Sequence, residues 1–240
     1  AATAKVWAIN AYGTSAPSDA SASFTPLALP RAIIQIANND SNTWVTLEFV
    51  DMGTSGNTTD FGDLTVDRYS LDACGSSTRA VFGGSALKSN VIDYITIASV
   101  GNATDFGNLS GTRNQVSAAA SPTRGVFLGG SGSNSSTVYD IMEYITIANT
   151  GNTTDFGNLS GQARLGSACS SNTRIVVHCA ILGGSVVNTL EYITTANTGN
   201  STNFGDLTAA RYNTGSTSNH TLGIFIGGAG NDTNVIDKIT

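Results

Sequence analysis

The sequence predicts an all-β protein assembled from repeated four-stranded antiparallel units. Three observations carry that expectation. Glu, Lys, Arg and Gln, which favour long helices, are scarce, while Gly (27 of 240 residues) and β-branched residues are common. Apolar runs are short and are punctuated by turn chemistry throughout. Three short strings recur, always in the same order.

The first string is Gly56-Asn57-Thr58-Thr59-Asp60-Phe61-Gly62-Asp63-Leu64. It returns from Gly101 to Leu109, from Gly151 to Leu159 and from Gly199 to Leu207, at spacings of 45, 50 and 48 residues. The second is Asp93-Tyr94-Ile95-Thr96, with copies at Glu143–Thr146, Glu191–Thr194 and Asp237–Thr240. The third is a double glycine after an apolar run: Gly83-Gly84, Gly129-Gly130, Gly183-Gly184 and Gly227-Gly228.

Residues 68–109 illustrate the unit. Strand a falls near Tyr69–Cys74 and ends in a Gly-Ser-Ser-Thr turn. Strand b is Arg79–Phe82, a continuous apolar run suited to burial on both faces. Strand c, Val91–Ala98, is β-branched and aromatic, and strand d covers Thr104–Leu109. The connections are too short for helical crossovers, so neighbouring strands pair antiparallel. Such a sheet has two apolar faces and buries both only against neighbours, which points to blades packed around an axis.

The chain ends are degenerate. Trp44–Gly56 aligns with strands c and d, and Arg31–Ile36 suits strand b. Residues 211–240 supply three strands and stop before the fourth. Third-strand positions (Phe49, Tyr94, Tyr144, Tyr192, Lys238) give about five blade equivalents. Phe24 lies seven before Arg31, as Phe61 lies before Arg68, so an N-terminal strand is a candidate to complete the last blade. The expected division is an N-terminal strand segment, 1–28, and a repeat domain, 29–240. The chain begins Ala1-Ala2-Thr3 with no secretory-type segment, so a processed chain or a piece of something longer is expected.

Eleven Lys and Arg against seventeen Asp and Glu give a net charge of −6, without the basic patch that nucleic-acid binding requires. No apolar run approaches the ~20 residues of a membrane span. Cys74, Cys169 and Cys179 are an odd set without close-spaced pairing, and are read as buried thiols. No cofactor and no metal centre are expected.

The recurring carboxylates (Glu48, Asp93, Glu143, Glu191, Asp237) and the arginines after strand d (Arg68, Arg113, Arg164, Arg211) are read as structural pairs, because paired burial avoids the cost of an isolated ion. Arg79, Arg124 and Arg174 recur at the start of strand b. The Asp-Phe-Gly triplets spell a kinase metal-binding motif, but no phosphate loop or catalytic loop accompanies them. They are read as an Asp closing a turn and a Phe in the core. The Gly-Asn-x-Thr-Asp loop is read as an Asx turn, with too few carboxylates for calcium. His178 and Cys179 are strand neighbours pointing to opposite faces, which disfavours a catalytic grouping with Cys169.

The double glycine after strand b and the aromatics of the last two strands (Tyr94/Phe106, Tyr144/Phe156, Tyr192/Phe204) resemble the kelch family, with Phe where kelch repeats carry a late Trp. The resemblance implies a β-propeller. The stretch Ala4–Ser18 resembles the last hairpin of fibronectin type III domains. Over residues 43–240 the repeat style resembles structural proteins of marine bacteriophages. That resemblance implies a non-enzymatic virion component of tail or capsid, acting in host attachment or assembly, with other virion proteins or a host-surface glycan or protein as partner, homo-oligomeric assembly being open. A secreted or periplasmic scaffold propeller is the alternative. The length-variable segments after the double glycines form the expected binding rim, with Ser85, Lys88, Asn90, Ser131, Asn134, Tyr139, Asn231 and Asp232 as candidate contacts.

Overall fold

The computed structural model describes residues 9–10, 13–14, 31–36, 44–87, 89–132, 136–219, 221–230 and 234–240, the first two pairs as backbone only. The described residues are all β, in small antiparallel sheets; no helix among them is long and apolar enough to cross a membrane.

Five principal sheets follow one another along the chain. Sheet 1 holds strands b, c and d (Arg31–Gln35, Thr46–Asp51, Thr59–Asp63). Sheets 2, 3 and 4 have all four strands. Sheet 2 is Asp72–Gly75, Arg79–Gly83, Val91–Thr96 and Thr104–Asn108. Sheet 3 is Ser117–Ala120, Arg124–Leu128, Ile141–Thr146 and Thr154–Asn158. Sheet 4 is Ser167–Ser170, Arg174–His178, Thr189–Thr194 and Thr202–Asp206. Sheet 5 has strands a, b and c (Gly215–Ser218, Gly223–Ile226, Ile236–Ile239). In addition, Ile9–Asn10 pairs with Gly13–Thr14 in a small hairpin.

Arg31 opens a strand b that pairs with strand c, as Arg79 does. It is therefore the counterpart of Arg79 and not of Arg68, and the Phe24–Arg31 spacing does not reproduce the Phe61–Arg68 relationship. Phe24 itself lies outside the described residues.

The core lies between sheets. Leu47 and Phe61 of sheet 1 meet Phe82 and Ile95 of sheet 2, and Val81 and Phe106 of sheet 2 meet Phe127 and Ile145 of sheet 3. Val126 and Phe156 then meet Ile175 and Val177, and Val176 and Leu190 meet Phe225. Burial of each sheet by its neighbour supplies the hydrophobic stabilisation that one small sheet lacks.

The Asp-Phe-Gly triplet lies in strand d and not in a turn. In every c–d pairing the register slips by one residue, between Leu47 and Glu48 and its three equivalents. Phe61, Phe106, Phe156 and Phe204 are the extra residues of these bulges. A bulge re-aims a side chain, here into the junction, and the Gly after it has a positive φ (137° to 146°). Each Phe meets the strand-c aromatic edge to face, with centroids 5.8 to 6.1 Å apart.

Candidate functional site

Antiparallel alternation sends the b–c segments and the linkers from strand d to the next strand a to one end of the sheets. The a–b and c–d turns occupy the other end. At the linker end the recurring carboxylates do their work. Asp93 accepts hydrogen bonds from Thr65 N (3.1 Å) and Thr65 Oγ1 (2.6 Å), and pairs with Arg68 at 2.8 Å. Glu143 accepts from Ser110 N and pairs with Arg113 at 2.9 Å; Asp237 accepts from Thr208 N and pairs with Arg211 at 2.8 Å. Each of these three acids thus pins the linker that leaves the preceding sheet, and the structural pairing expected of these charges holds for these three pairs.

Arg164 departs from the pattern. Ala163 pairs with Leu182 as Arg211 pairs with Gly230, so Ala163 occupies the arginine position. Glu191 instead takes hydrogen bonds from Ser160 N, Ser160 Oγ and Ser201 Oγ, with the Cys179 thiol also bonded to it. The third double glycine is also displaced. Gly183-Gly184 is the exposed turn of a hairpin joining Ile181–Leu182 to Ser185–Val186; its φ values of 57° and 89° suit glycine. Cys179 directly follows strand b there.

Burial pushes the guanidinium pKa of Arg68 and of Arg113 downward, against the pull of their carboxylates. Burial would raise the Glu143 carboxyl, but Arg113 and hydrogen bonds from Ser110 and Thr153 outweigh it and hold it below its usual range.

Of the expected rim contacts, Ser85 and Ser131 are buried, at 1% and 0% exposure, which corrects their assignment to a binding surface. Ser85 N donates to Arg113 O and its Oγ accepts from Leu87 N, while Ser131 Oγ donates to Asn114 Oδ1 at 2.6 Å. In these two units a small hydroxyl residue satisfies the start of the b–c segment. Asn90 is half-buried and its Nδ2 donates to Leu109 O, as Asn188 Nδ2 donates to Leu207 O. Half-buried Tyr139 lies with its backbone bonded to Gly130 and Ala163. Lys88, Asn134, Asn231 and Asp232 lie outside the described residues.

His178 is fully buried. The Val187 carbonyl, 3.2 Å from Nε2, only accepts, so Nε2 carries the proton and Nδ1 accepts from Thr214 Oγ1 at 3.1 Å. Ser167 Oγ adds to the network, 2.9 Å from Thr214 Oγ1. Burial lowers the His178 pKa to about 4. The three thiols are free and buried; burial pushes Cys74 up to about 12 and Cys169 to about 11, and raises Cys179. Such thiols are poor nucleophiles. Among the described residues, no three His, Cys, Asp or Glu side chains gather in a metal-holding group.

At the opposite end the recurring strand-b arginines, legible in the sequence, make contacts that the sequence did not reveal. Arg31, Arg79, Arg124 and Arg174 each stack on the strand-c aromatic of their own sheet, 4.3 to 4.5 Å from the ring centroid. The first three also reach the next sheet and donate to a carbonyl just beyond its strand c: Ile97, Ile147 and Thr195, at 2.9, 2.8 and 2.7 Å. The Gly-Asn loop is a junction element as well. Asn102, Asn152 and Asn200 accept through Oδ1 from the backbone N–H of Asp63, Asn108 and Asn158 on the preceding sheet, each at 3.0 Å. The Asx-turn expectation holds at the last position of the loop in two copies, where Asp105 Oδ1 accepts from Gly107 N and Asn203 Oδ1 from Gly205 N, whereas the loop Asn bonds across the junction. At the junction of sheets 4 and 5 a cleft of about 520 Å³ opens beside Arg174, Val176, Phe204, Leu222 and Ile239.

No family model matches the chain, and no curated protein matches it.

Proposed function

We propose that the chain is a non-enzymatic, repeat-built display module, a kelch-like β-propeller scaffold on a bacteriophage tail or capsid that mediates host attachment or virion assembly. The observation that carries this reading is the use of charge. In a chain with few ionisable residues, the recurring arginines and acids join strands, linkers and sheets, while Ser, Thr, Asn and Gly fill the turns. A scaffold with its charges committed to architecture suits adhesion or assembly through polar loops better than acid–base chemistry.

The attachment surface in this reading is the b–c end, where segment length varies between units and Leu87 and Val186 are exposed. Binding of the purified chain to bacterial envelopes and to a glycan array tests it. Loss of binding when segments 86–90, 132–139, 181–187 and 229–234 are replaced by Gly-Ser linkers is expected. Unchanged binding by that variant refutes the assignment to this end. Electron microscopy of the isolated chain tests the propeller: a ring of sheets is expected, and an open linear stack refutes it.

A further inference from the structure

Among the described residues, three junctions between sheets are closed by the same short segment, and a fourth, between sheets 4 and 5, is open. The closing segment runs from the end of strand c through the Gly-Asn loop into strand d. In sheet 3 it is residues 147–159. The Ile147 carbonyl accepts from Arg79, Gly151 N donates to Phe106 O at 2.7 Å, Asn152 Oδ1 accepts from Asn108 N, and Thr153 N donates to Asn108 O at 2.9 Å. Residues 154–158 then complete the sheet as its fourth strand.

At the open junction the receiving groups are all in place. Arg174 is exposed, whereas Arg31, Arg79 and Arg124 are half-buried. Phe204 is half-buried, whereas Phe61, Phe106 and Phe156 are at most 2% exposed. A Cβ on Gly62, Gly107 or Gly157 would meet the next Gly-Asn loop at 2.6, 2.2 or 2.4 Å, while around Gly205 no described residue lies within 4 Å. Among the described residues, strand c of sheet 5, Ile236–Ile239, pairs on one edge only.

We propose that this cleft and the free edge of Ile236–Ile239 form a docking site for an extended polypeptide with the chemistry of the repeat's own closing segment. The occupant presents an aliphatic or Thr residue whose carbonyl accepts from Arg174. Its Gly N–H donates to Phe204 O, its Asn side chain accepts from Asp206 N, and a Thr-Asx-Phe-Gly strand adds to Ile236–Ile239. Backbone pairing supplies the affinity, and the aliphatic side chain, whose counterpart Ile147 packs with Phe106 of the preceding sheet, and the Asn contact supply selectivity. The inference stands independently of the display reading, since it depends only on the equivalence of the junctions.

The test uses the full chain and a synthetic peptide with the sequence of residues 147–159. Saturable one-to-one binding is expected, with the Asp206 amide gaining protection from hydrogen exchange. Asn152→Ala or Ile147→Ser in the peptide is expected to weaken binding at least tenfold. Arg174→Leu in the protein, at an exposed position, is expected to do the same, and Gly205→Ala to block binding through a Cβ in the path of the loop. No binding at about 1 mM peptide, a concentration that detects even weak complexes, overturns the proposal. So does binding indifferent to Arg174 and to both peptide changes. Self-association that Arg174→Leu abolishes and the peptide does not compete with assigns the cleft to a second copy and also overturns it.

Discussion

Arg124 donates to the carbonyl of Thr195 at 2.7 Å, although the two residues are 71 positions apart and belong to different sheets. The same guanidinium lies 4.3 Å from the centroid of Tyr144 in its own sheet. One side chain therefore fixes both a strand pairing and a sheet-to-sheet distance. The repeat makes this bond at the first three junctions, where each sheet buries a face against the next.

Removing that link should loosen one junction. Arg124→Leu forfeits a charge-assisted hydrogen bond and a cation–π contact, and a loss of about 1–2 kcal/mol is expected. Among the described residues Arg174→Leu forfeits only the stacking on Tyr192, so a loss of about half that size is expected. Urea unfolding of both variants checks the ordering. Equal destabilisation would show that the inter-sheet bond contributes nothing.

The strands of the complete sheets were legible because each has a pattern that physics enforces locally: an apolar run, then a turn residue, then an aromatic strand. Arg79–Gly83 and Thr104–Asn108 fall where that pattern puts them. Two strings misled, for a shared reason. Both match the repeat in type but not in register: Arg164 stands one residue past the position that Ala163 fills, and Gly183-Gly184 lies in a hairpin turn beyond the end of strand b. Residue identity at a near-repeat spacing does not fix which residue faces the core; Ala163, adjacent to Arg164, does. The junction bonds of Asn102, Asn152 and Asn200 were illegible, since a loop Asn has equally good local partners and only the packed neighbour selects among them.

The Arg68–Asp93 pair, both side chains fully buried, should be costly to break and cheap to replace. Asp93→Asn leaves the Arg68 charge buried without its counter-ion and weakens the hold on Thr65. A loss of about 3–5 kcal/mol is expected. The double variant Arg68→Met, Asp93→Leu removes both charges and is expected to lose less than the single one. Chemical denaturation of the two variants decides this, and a double variant worse than Asp93→Asn would count against buried-charge cost as the dominant effect.

Gly107 and Gly205 share a backbone conformation, with φ of 146° and 142°, but not a neighbour. Ala at 107 would place its Cβ 2.2 Å from the Gly151 carbonyl oxygen, while Ala at 205 meets no described residue within 4 Å. Both substitutions carry the backbone strain of a positive φ, of order 1–3 kcal/mol. Only Gly107→Ala also forces a junction apart. Thermal unfolding is expected to show Gly107→Ala as the more destabilised variant by a clear margin, and similar losses at the two sites would remove close approach of the Gly-Asn loop as the reason for glycine.

His178 should make stability depend on pH on the acid side. Its folded pKa is depressed to about 4 by burial, with Arg211 acting in the same direction, against an unfolded value near 6.5. A depressed histidine favours the neutral form in the fold. Its contribution is therefore complete above about pH 6.5 and is lost progressively as pH falls toward 4. Asp72 acts oppositely in much the same window. Burial raises its carboxyl to about 6, against hydrogen bonds from Ala73 and Ala118, so its protonation as pH falls below 6 favours the fold. The net slope of stability between pH 6.5 and 4 is thus a difference, and the histidine is isolated by comparison with His178→Gln, which keeps a donor and an acceptor but does not titrate. The stability advantage of the native chain over that variant is expected to shrink across this range. Nuclear magnetic resonance of the His178 ring in the folded protein is expected to show a midpoint near pH 4; a midpoint near 6.5 would mean that Val187 and Thr214 do not hold the ring neutral.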